Sequence, residues 1–290
     1  MNRQQFRQRL HAAATHSAPP LMAPLCLDPL TARLCEELGY ESGYLSGGGL
    51  GYQLALSEAL LTVDELAGFA RAITRRSSIG LVIDGGVGFG DPVHVARMMW
   101  EFEATQAVGV ELEDQVAPKR VSHHRGVEHL VPVAAMVAKI EVAVAQRRDP
   151  DFTLIARTGA VRHESFEAAL ERCEAYVAAG ADAVMLFPDT EDEWVEAPRR
   201  VSVPLVAMTM LDIRPPHQWG EMGYAMVIDP MSGQCAAMDA VRQLYQRQRD
   251  QPNQAASDLR ARNGVYRGLA GLAGLEELYD IERATTEKTT

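Results

Sequence analysis

The chain has 290 residues, 47% apolar and 23% charged, with 28 basic against 39 acidic side chains and a formal net charge of −11. This is the composition of a soluble globular protein with a large core, and it lacks the clustered lysines and arginines that bind nucleic acid. No run of about 18 apolar residues offers a membrane span, and the basic start MNRQQFRQRLHAAATH lacks the continuous apolar stretch of a secretory signal, so a cytoplasmic enzyme is expected.

In chain order, eight short runs read as strands: APLCL (23–27), SGYLS (42–46), IGLVID (79–84), VGVELED (108–114), FTLIAR (152–157), AVMLFP (183–188), VPLVAM (203–208) and AMVID (225–229). Most are continuously apolar, as parallel strands covered on both faces are. Helical patterns lie between most of them. Over 63–75, Val63, Leu66, Phe69, Ala70 and Ile73 share one face, and Thr62 with Glu65 forms a capping box at its start. Pro132 suits the first turn of a helix running through Val144, and Phe166, Ala169, Leu170, Cys173 and Val177 repeat the helical spacing over 165–178.

Strand followed by helix, repeated about eight times, predicts one (β/α)8 TIM-type barrel over residues 1–290, the alternative being an open doubly wound sheet. No interdomain linker stands out. The polar stretch RDQPNQAASD after Gln248 reads as a loop, and Tyr266 to Ile281 reads as an amphipathic helix in a helical extension of about residues 250–290. The four cysteines are scattered without a C-x-x-C pair, which argues against a zinc site or a disulfide framework. Cys26 and Cys173 read as small core residues.

A barrel places its chemistry at the C-terminal ends of its strands. Those ends carry Tyr44, Ser46, Gly47, Gly48 and Gly49, then Asp84, then Glu113 and Asp114, then Arg157, then Asp189. Carboxylates at successive strand ends suit a hard cation such as Mg2+ or Mn2+, completed by water and substrate. Each acid alone reads equally well as a helix cap or a solvated loop end. The glycine-rich DGGVGFG at 84–90 is neither a phosphate-binding P-loop nor a dinucleotide fingerprint, and its glycines allow close backbone approach. In the Ser46 loop, backbone N–H groups and a hydroxyl suit a carboxylate, the plainer reading being a flexible turn.

YLSGGG at 44–49, D-x-x-x-G-F-G at 84–90, LEDQVAPKR at 112–120, IART at 155–158 and AGADAVMLFP at 179–188 resemble, in order, the isocitrate lyase/phosphoenolpyruvate mutase superfamily. The resemblance is to its short members, of the 2-methylisocitrate lyase, carboxyphosphonoenolpyruvate mutase and oxaloacetate decarboxylase type. It implies Asp84 as the main magnesium ligand, with Glu113 as a further metal-site acid acting directly or through water. It implies substrate binding by Tyr44, Ser46, Gly47 and Gly48, and an Arg157 that pairs with a substrate carboxylate or phosphonate. Glu58 stands where the family has a loop aspartate. The assembly implied is a homotetramer in which the C-terminal helix is exchanged between subunits.

Two departures bear on the reaction. Gly86 replaces the family's second metal-shell aspartate, and Val121 replaces the cysteine that moves a proton in the lyases. Ser122, His123 and Tyr44 are the groups nearby that can substitute for it, whereas His124 reads as a solvated loop residue. The asparagine usual after the seventh strand is absent from VAMTMLD at 206–212. The expected reaction is a magnesium-dependent cleavage of a C–C bond in a small 2-hydroxy- or 2-oxo-dicarboxylate through a stabilised enolate. An oxaloacetate-type decarboxylase on the same site is the alternative, a phosphonopyruvate hydrolase or mutase is more remote, and a barrel that has lost its reaction is the reading from another class.

Overall fold

Eight strands form, seven of them along the expected runs and the first just ahead of its run: β1 (Leu21–Ala23), β2 (Ser42–Leu45), β3 (Gly80–Asp84), β4 (Gly109–Glu113), β5 (Thr153–Arg157), β6 (Ala183–Met185), β7 (Leu205–Met208) and β8 (Tyr224–Ile228). The computed structural model describes residues 1–251 and 259–287. The strands are parallel and run in the order β1-β8-β7-β6-β5-β4-β3-β2, which leaves β1 and β2 to close the ring. The expected (β/α)8 barrel is the fold.

Closure explains why the first strand is displaced from the expected 23–27. Pro24 has no N–H with which to continue the ladder on β8. Beyond Ala23 the chain therefore turns to β2, where Tyr44 N donates to Pro24 O at 2.9 Å and Cys26 N donates to Tyr44 O at 2.8 Å.

Inside the ring, Tyr44, Val82, Ile155, Met185, Val206 and Met226 pack together, with Phe6 and Leu10 of the helix Arg3–Ala14 in the same cluster. Asn2 caps that helix through a capping box with Gln5. Full burial of a Phe or Leu side chain contributes about 1.5–3 kcal/mol, so this N-terminal helix is a substantial part of the core. The outer layer follows the sequence pattern. The helix Val63–Thr74 starts on the expected Thr62/Glu65 capping box, and the helix Phe166–Ala178 is capped by Ser165. Pro132 is the residue just before its helix, Val133–Gln146. Cys26, Cys35 and Cys173 are buried, and Cys235 is exposed.

The chain divides into two compact units, Met1–Gly233 and Gln234–Thr290. The first is the barrel. The second takes in most of the helix Ser232–Asp250, then the helices Leu259–Ala273 and Leu275–Thr285. Where the sequence suggests one helix from Tyr266 to Ile281, Gly274 separates two, at φ +75°, a left-handed conformation that glycine adopts without strain. Residues 252–258, in the middle of the expected polar loop, lie outside the described residues. Among the described residues no helix is long and apolar enough to cross a membrane.

Candidate active site

Strand register assembles the site. Across β3 and β4, Asp84 pairs with Glu111, and across β4 and β5, Glu113 pairs with Arg157. Glu111 and Glu113 are two residues apart on one strand and so face the same side. Three adjacent strand ends thus bring three carboxylates and one guanidinium together, all buried.

The loop after β2 supplies the fourth wall. Ser46 caps the short helix Gly47–Gln53, its Oγ accepting from Gly49 N at 3.0 Å. Gly47 N donates to Asp84 Oδ2 at 2.9 Å, and Gly86 N donates to Asp84 Oδ1 at 2.9 Å. The Gly47 amide expected to meet substrate therefore holds Asp84. A Cβ on Gly47 would stand 3.1 Å from Asp84 Oδ2, a tight contact that would press on the carboxylate by a few tenths of an ångström.

Arg157 is clamped between two acids. Its Nη1 lies 2.9 Å from Glu111 Oε1, and its Nη2 pairs with Glu113 Oε2. Gln115 Nε2 donates to the same Glu113 oxygen at 2.9 Å, while Lys119 Nζ lies 2.6 Å from Glu113 Oε1. Burial raises the Glu113 carboxyl, but Arg157 and Lys119 outweigh it and hold the group below its ordinary value. Burial, with Asp84 and Glu113 nearby, pushes Glu111 up to about 8 against the pull of Arg157. Asp84 is raised by burial and then by the charge of Glu58.

Asp84, Arg157, Lys119 and the loop after β2 border two adjoining cavities. The smaller, about 120 Å³, is bounded by Gly47, Glu58, Asp84, Gly86 and Lys119 among others. The larger, about 360 Å³, has Ser46, Gly48, Asp84, His123 and Arg157 on one side, and Phe187, Met208, Pro230 and Met231 contribute apolar surface. That volume matches a small organic acid. A third hollow of about 710 Å³ lies elsewhere, around Arg3, Ser77, Glu103 and Asp149, and holds none of the strand-end groups.

Over the mouth runs the 116–130 loop, pinned at its neck where Val116 N donates to His129 O and Val131 N to Asp114 O, each at 2.8 Å. It contains the 3-10 turn Val121–Arg125. Val121 is 56% exposed and borders neither cavity, so the position expected to carry a thiol faces solvent. Among the described residues Ser122 Oγ reaches Val127 O alone, at 3.5 Å. His123 borders the larger cavity, with Nε2 2.7 Å from Glu58 Oε1. His124 is exposed as expected, yet it also ties two loops, its Nδ1 3.2 Å from Tyr52 Oη and its Nε2 2.9 Å from Ser57 Oγ.

The remaining expected residues sit further back. Tyr44 is fully buried and its hydroxyl is given to Glu111 at 2.6 Å, so it supports the floor of the site without bordering either cavity. Asp189 pairs with Arg162 on the rim at 2.9 Å. Asp114 turns outward to Thr158, Tyr176 and Arg172 and anchors a helix. Among the charged groups at the strand ends, Glu111 and Lys119 escaped the sequence reading. The alternation E-L-E in β4 signals the first, since the residue two before an inward acid is also inward. The second is marked only by its place in LEDQVAPKR.

A family model described as phosphoenolpyruvate phosphomutase matches residues 6–248. The chain belongs to that family. It lies within the isocitrate lyase/phosphoenolpyruvate mutase superfamily that its motifs resemble. It is 38% identical over 228 residues to a 2-methylisocitrate lyase of Aeropyrum pernix, covering 76% of this chain and 72% of that one. It is 36% identical over 203 residues to an oxaloacetate decarboxylase of Paraburkholderia xenovorans, covering 69% and 67%. A solved phosphonopyruvate hydrolase in complex with oxalate and Mg2+ superposes with a TM-score of 0.82 at 27% identity, over 99% of this chain and all of that one. The sequence relatives are carbon–carbon lyases by name, and this chain is an enzyme of that kind.

Hard carboxylate oxygens fit a hard divalent ion here, on one condition. Among the described residues no three His, Cys, Asp or Glu side chains converge to hold an ion alone. Mg2+ and Mn2+ do not require that, because one or two carboxylates with water and substrate suffice. Asp84 borders both cavities, with Glu113 near it behind Lys119. The fit is to a cation that keeps most of its water.

Proposed function

We propose that this enzyme splits a C–C bond in a small 2-hydroxy- or 2-oxo-dicarboxylate at the mouth of the barrel, with a divalent cation at Asp84 and Glu113. The observation that carries the reading is the strand register that puts Asp84 and Arg157 on the wall of one 360 Å³ cavity, with Glu113 paired to Arg157 just behind it. Buried charges cost stability wherever they are not used. A barrel kept only as a scaffold has no need of four of them at its mouth, which weighs against a homologue without a reaction.

Arg157 is the group we assign to a substrate carboxylate, since a planar fork meets a carboxylate through two hydrogen bonds. Glu111 and Glu113 fix the guanidinium so that little freedom is lost on binding. The Ser46 hydroxyl and the Gly48 backbone face the same cavity and complete the carboxylate contacts. Phe187, Met208 and Met231 leave room for the substrate's carbon skeleton and exclude water from it. When bound, Mg2+ or Mn2+ supplies positive charge toward the developing enolate.

Decarboxylation of a 2-oxo diacid on the same site is a second reading, favoured by one observation. Loss of carbon dioxide needs no thiol to protonate a departing fragment, and Val121 places none in the cavity. The test is to incubate the protein and Mg2+ with a panel of 2-hydroxy and 2-oxo diacids and follow the products by mass spectrometry. A 2-oxo acid with a second acid supports cleavage, and a 2-oxo acid with carbon dioxide supports decarboxylation. No product from any diacid, with no Mg2+ or Mn2+ binding by calorimetry, would overturn both.

We also propose a homotetramer that uses the C-terminal unit. Met238, Tyr245, Val265, Tyr266 and Ile281 of that unit are exposed in the single chain, which is unusual for so many large apolar groups in one short segment.

A further inference from the structure

The helix Val133–Gln146 turns Met136, Lys139, Ile140 and Ala143 to the core, so a lysine stands where the buried stripe calls for an apolar side chain. Its ammonium is not spent on an acid. Among the described residues Lys139 is in no ion pair, and its Nζ donates to the carbonyl oxygen of Val87 at 2.7 Å. Burial pulls the group below the ordinary lysine value, and the charges of Asp91, Glu113 and Asp114 make good only part of that. A buried cation so weakly compensated is costly, so packing alone does not account for it.

Val87 belongs to a strained turn. Between β3 and the helix Pro92–Glu103, the chain takes a positive φ at Gly86 (+49°), Gly88 (+79°), Phe89 (+62°) and Gly90 (+154°). Glycine adopts such angles freely. A phenylalanine does not, and it stays there only where its surroundings over-determine the backbone. On the near side, Gly85 N donates to Glu111 O at 2.8 Å, Gly88 N to Gly85 O at 3.0 Å, and Glu113 N to Gly86 O at 2.8 Å. On the far side, the Phe89 ring meets that of Phe102 edge-on, their centroids 6.1 Å apart. Between these fixings stands Val87, whose carbonyl Lys139 holds from the outer layer of the barrel. Val87 borders the smaller cavity together with Gly86 and Asp84.

We propose that Lys139 is a positioning residue for the cation site, pinning the Val87 carbonyl so that the Gly86 N–H stays on Asp84 Oδ1. The inference rests on the cation proposed above at Asp84. Gly86 N and Gly47 N each take one lone pair of the Asp84 carboxylate, which orients it and leaves a lone pair on both oxygens for an ion. Without Lys139 the Val87 carbonyl loses its partner and turns to the water of the cavity it borders. The turn relaxes with it, the Gly86 amide leaves Asp84, and the carboxylate loses the orientation the ion needs.

The test compares the full chain with K139M, which keeps an unbranched apolar stem and removes the donor. Amide hydrogen exchange is followed by mass spectrometry, and Mg2+ and Mn2+ binding by calorimetry. In K139M the peptide carrying residues 84–90 is expected to exchange about tenfold faster or more, with the peptides of β5 to β8 unchanged. Cation affinity should fall by about tenfold or more, as it does when the partners that orient a metal ligand are lost. The melting temperature should change little, because the orphaned carbonyl is offset by the removal of a buried charge. Wild-type exchange over 84–90 with wild-type affinity would show that Lys139 tethers nothing that the ion feels. Faster exchange throughout the barrel, or a K139M chain that melts far lower or does not fold, would make the lysine merely structural; either result overturns the proposal. If the wild type binds neither ion, the cation reading fails by itself, while exchange over 84–90 still decides whether Lys139 holds the turn.

Discussion

Tyr44 donates its phenolic hydrogen to Glu111 Oε2 at 2.6 Å, with both residues sealed inside the ring. Tyr44→Phe removes the donor and leaves a buried acceptor short of a partner, which costs about 1–3 kcal/mol. A lower melting temperature with KM little changed is expected, because the hydroxyl borders neither cavity. A variant that melts like wild type yet loses turnover would move Tyr44 into the chemistry.

Calorimetry with Mg2+ or Mn2+ tests Asp84 directly. Asp84→Ala should abolish measurable binding, and activity with it. Gly86→Asp should strengthen binding by about tenfold or more, roughly 1.4 kcal/mol. A Cβ on Gly86 meets no heavy atom within 4 Å, and its φ of +49° is a conformation that aspartate tolerates better than most residues. Unchanged affinity in both variants would remove Asp84 from the metal site.

Substitutions separate the ion pairs that Arg157 makes from the substrate contact proposed for it. Arg157→Ala strands the buried Glu111 and Glu113 and should cost about 3–5 kcal/mol of stability. Arg157→Lys keeps a charge but loses the two-pronged contact, so KM for a diacid should rise by about tenfold while the fold survives. An unchanged KM in the lysine variant would place the substrate carboxylate elsewhere.

The fold was legible because strands covered on both faces read as apolar runs, and most of the eight did. Asp84, Glu113 and Arg157 were legible for the same reason, since each closes such a run. Glu111 was not, because a run read for its apolar content hides which members face inward. Lys119 depends on how the 116–130 loop is pinned at Val116 and Val131, and no local pattern encodes that. The outward turn of Val121 was hidden likewise, as was the break at Gly274, where glycine inside an apolar helical pattern is ambiguous.

Acid stability should depend on Glu36. Burial raises this carboxyl, but Ser77 Oγ at 2.6 Å and the Ser78 N–H at 2.8 Å outweigh it and hold it below its ordinary value. The folded state therefore favours the ionised form, a contribution present above the unfolded value of about 4.3 and lost as pH falls through the folded one. Glu36→Gln should melt lower than wild type near neutral pH, with the gap closing in acid. A gap that is constant with pH would show that the carboxylate's ionisation does not matter.

Assembly is checked by light scattering. Four chains per particle are expected, and exchanging Tyr245 and Tyr266 for serine should shift the protein toward smaller species. A monomeric wild type would remove the tetramer.

Because Val121 faces water on a loop where His123 borders the cavity, the loop can be fitted with a reporter at one residue while the cavity wall is left alone. Cys26, Cys35 and Cys173 are buried, so once Cys235 is made serine a cysteine at 121 becomes the one readily labelled thiol among the described residues. A fluorophore there would report a change in the loop's surroundings when a small acid enters the cavity, so candidate ligands can be screened before any turnover is seen.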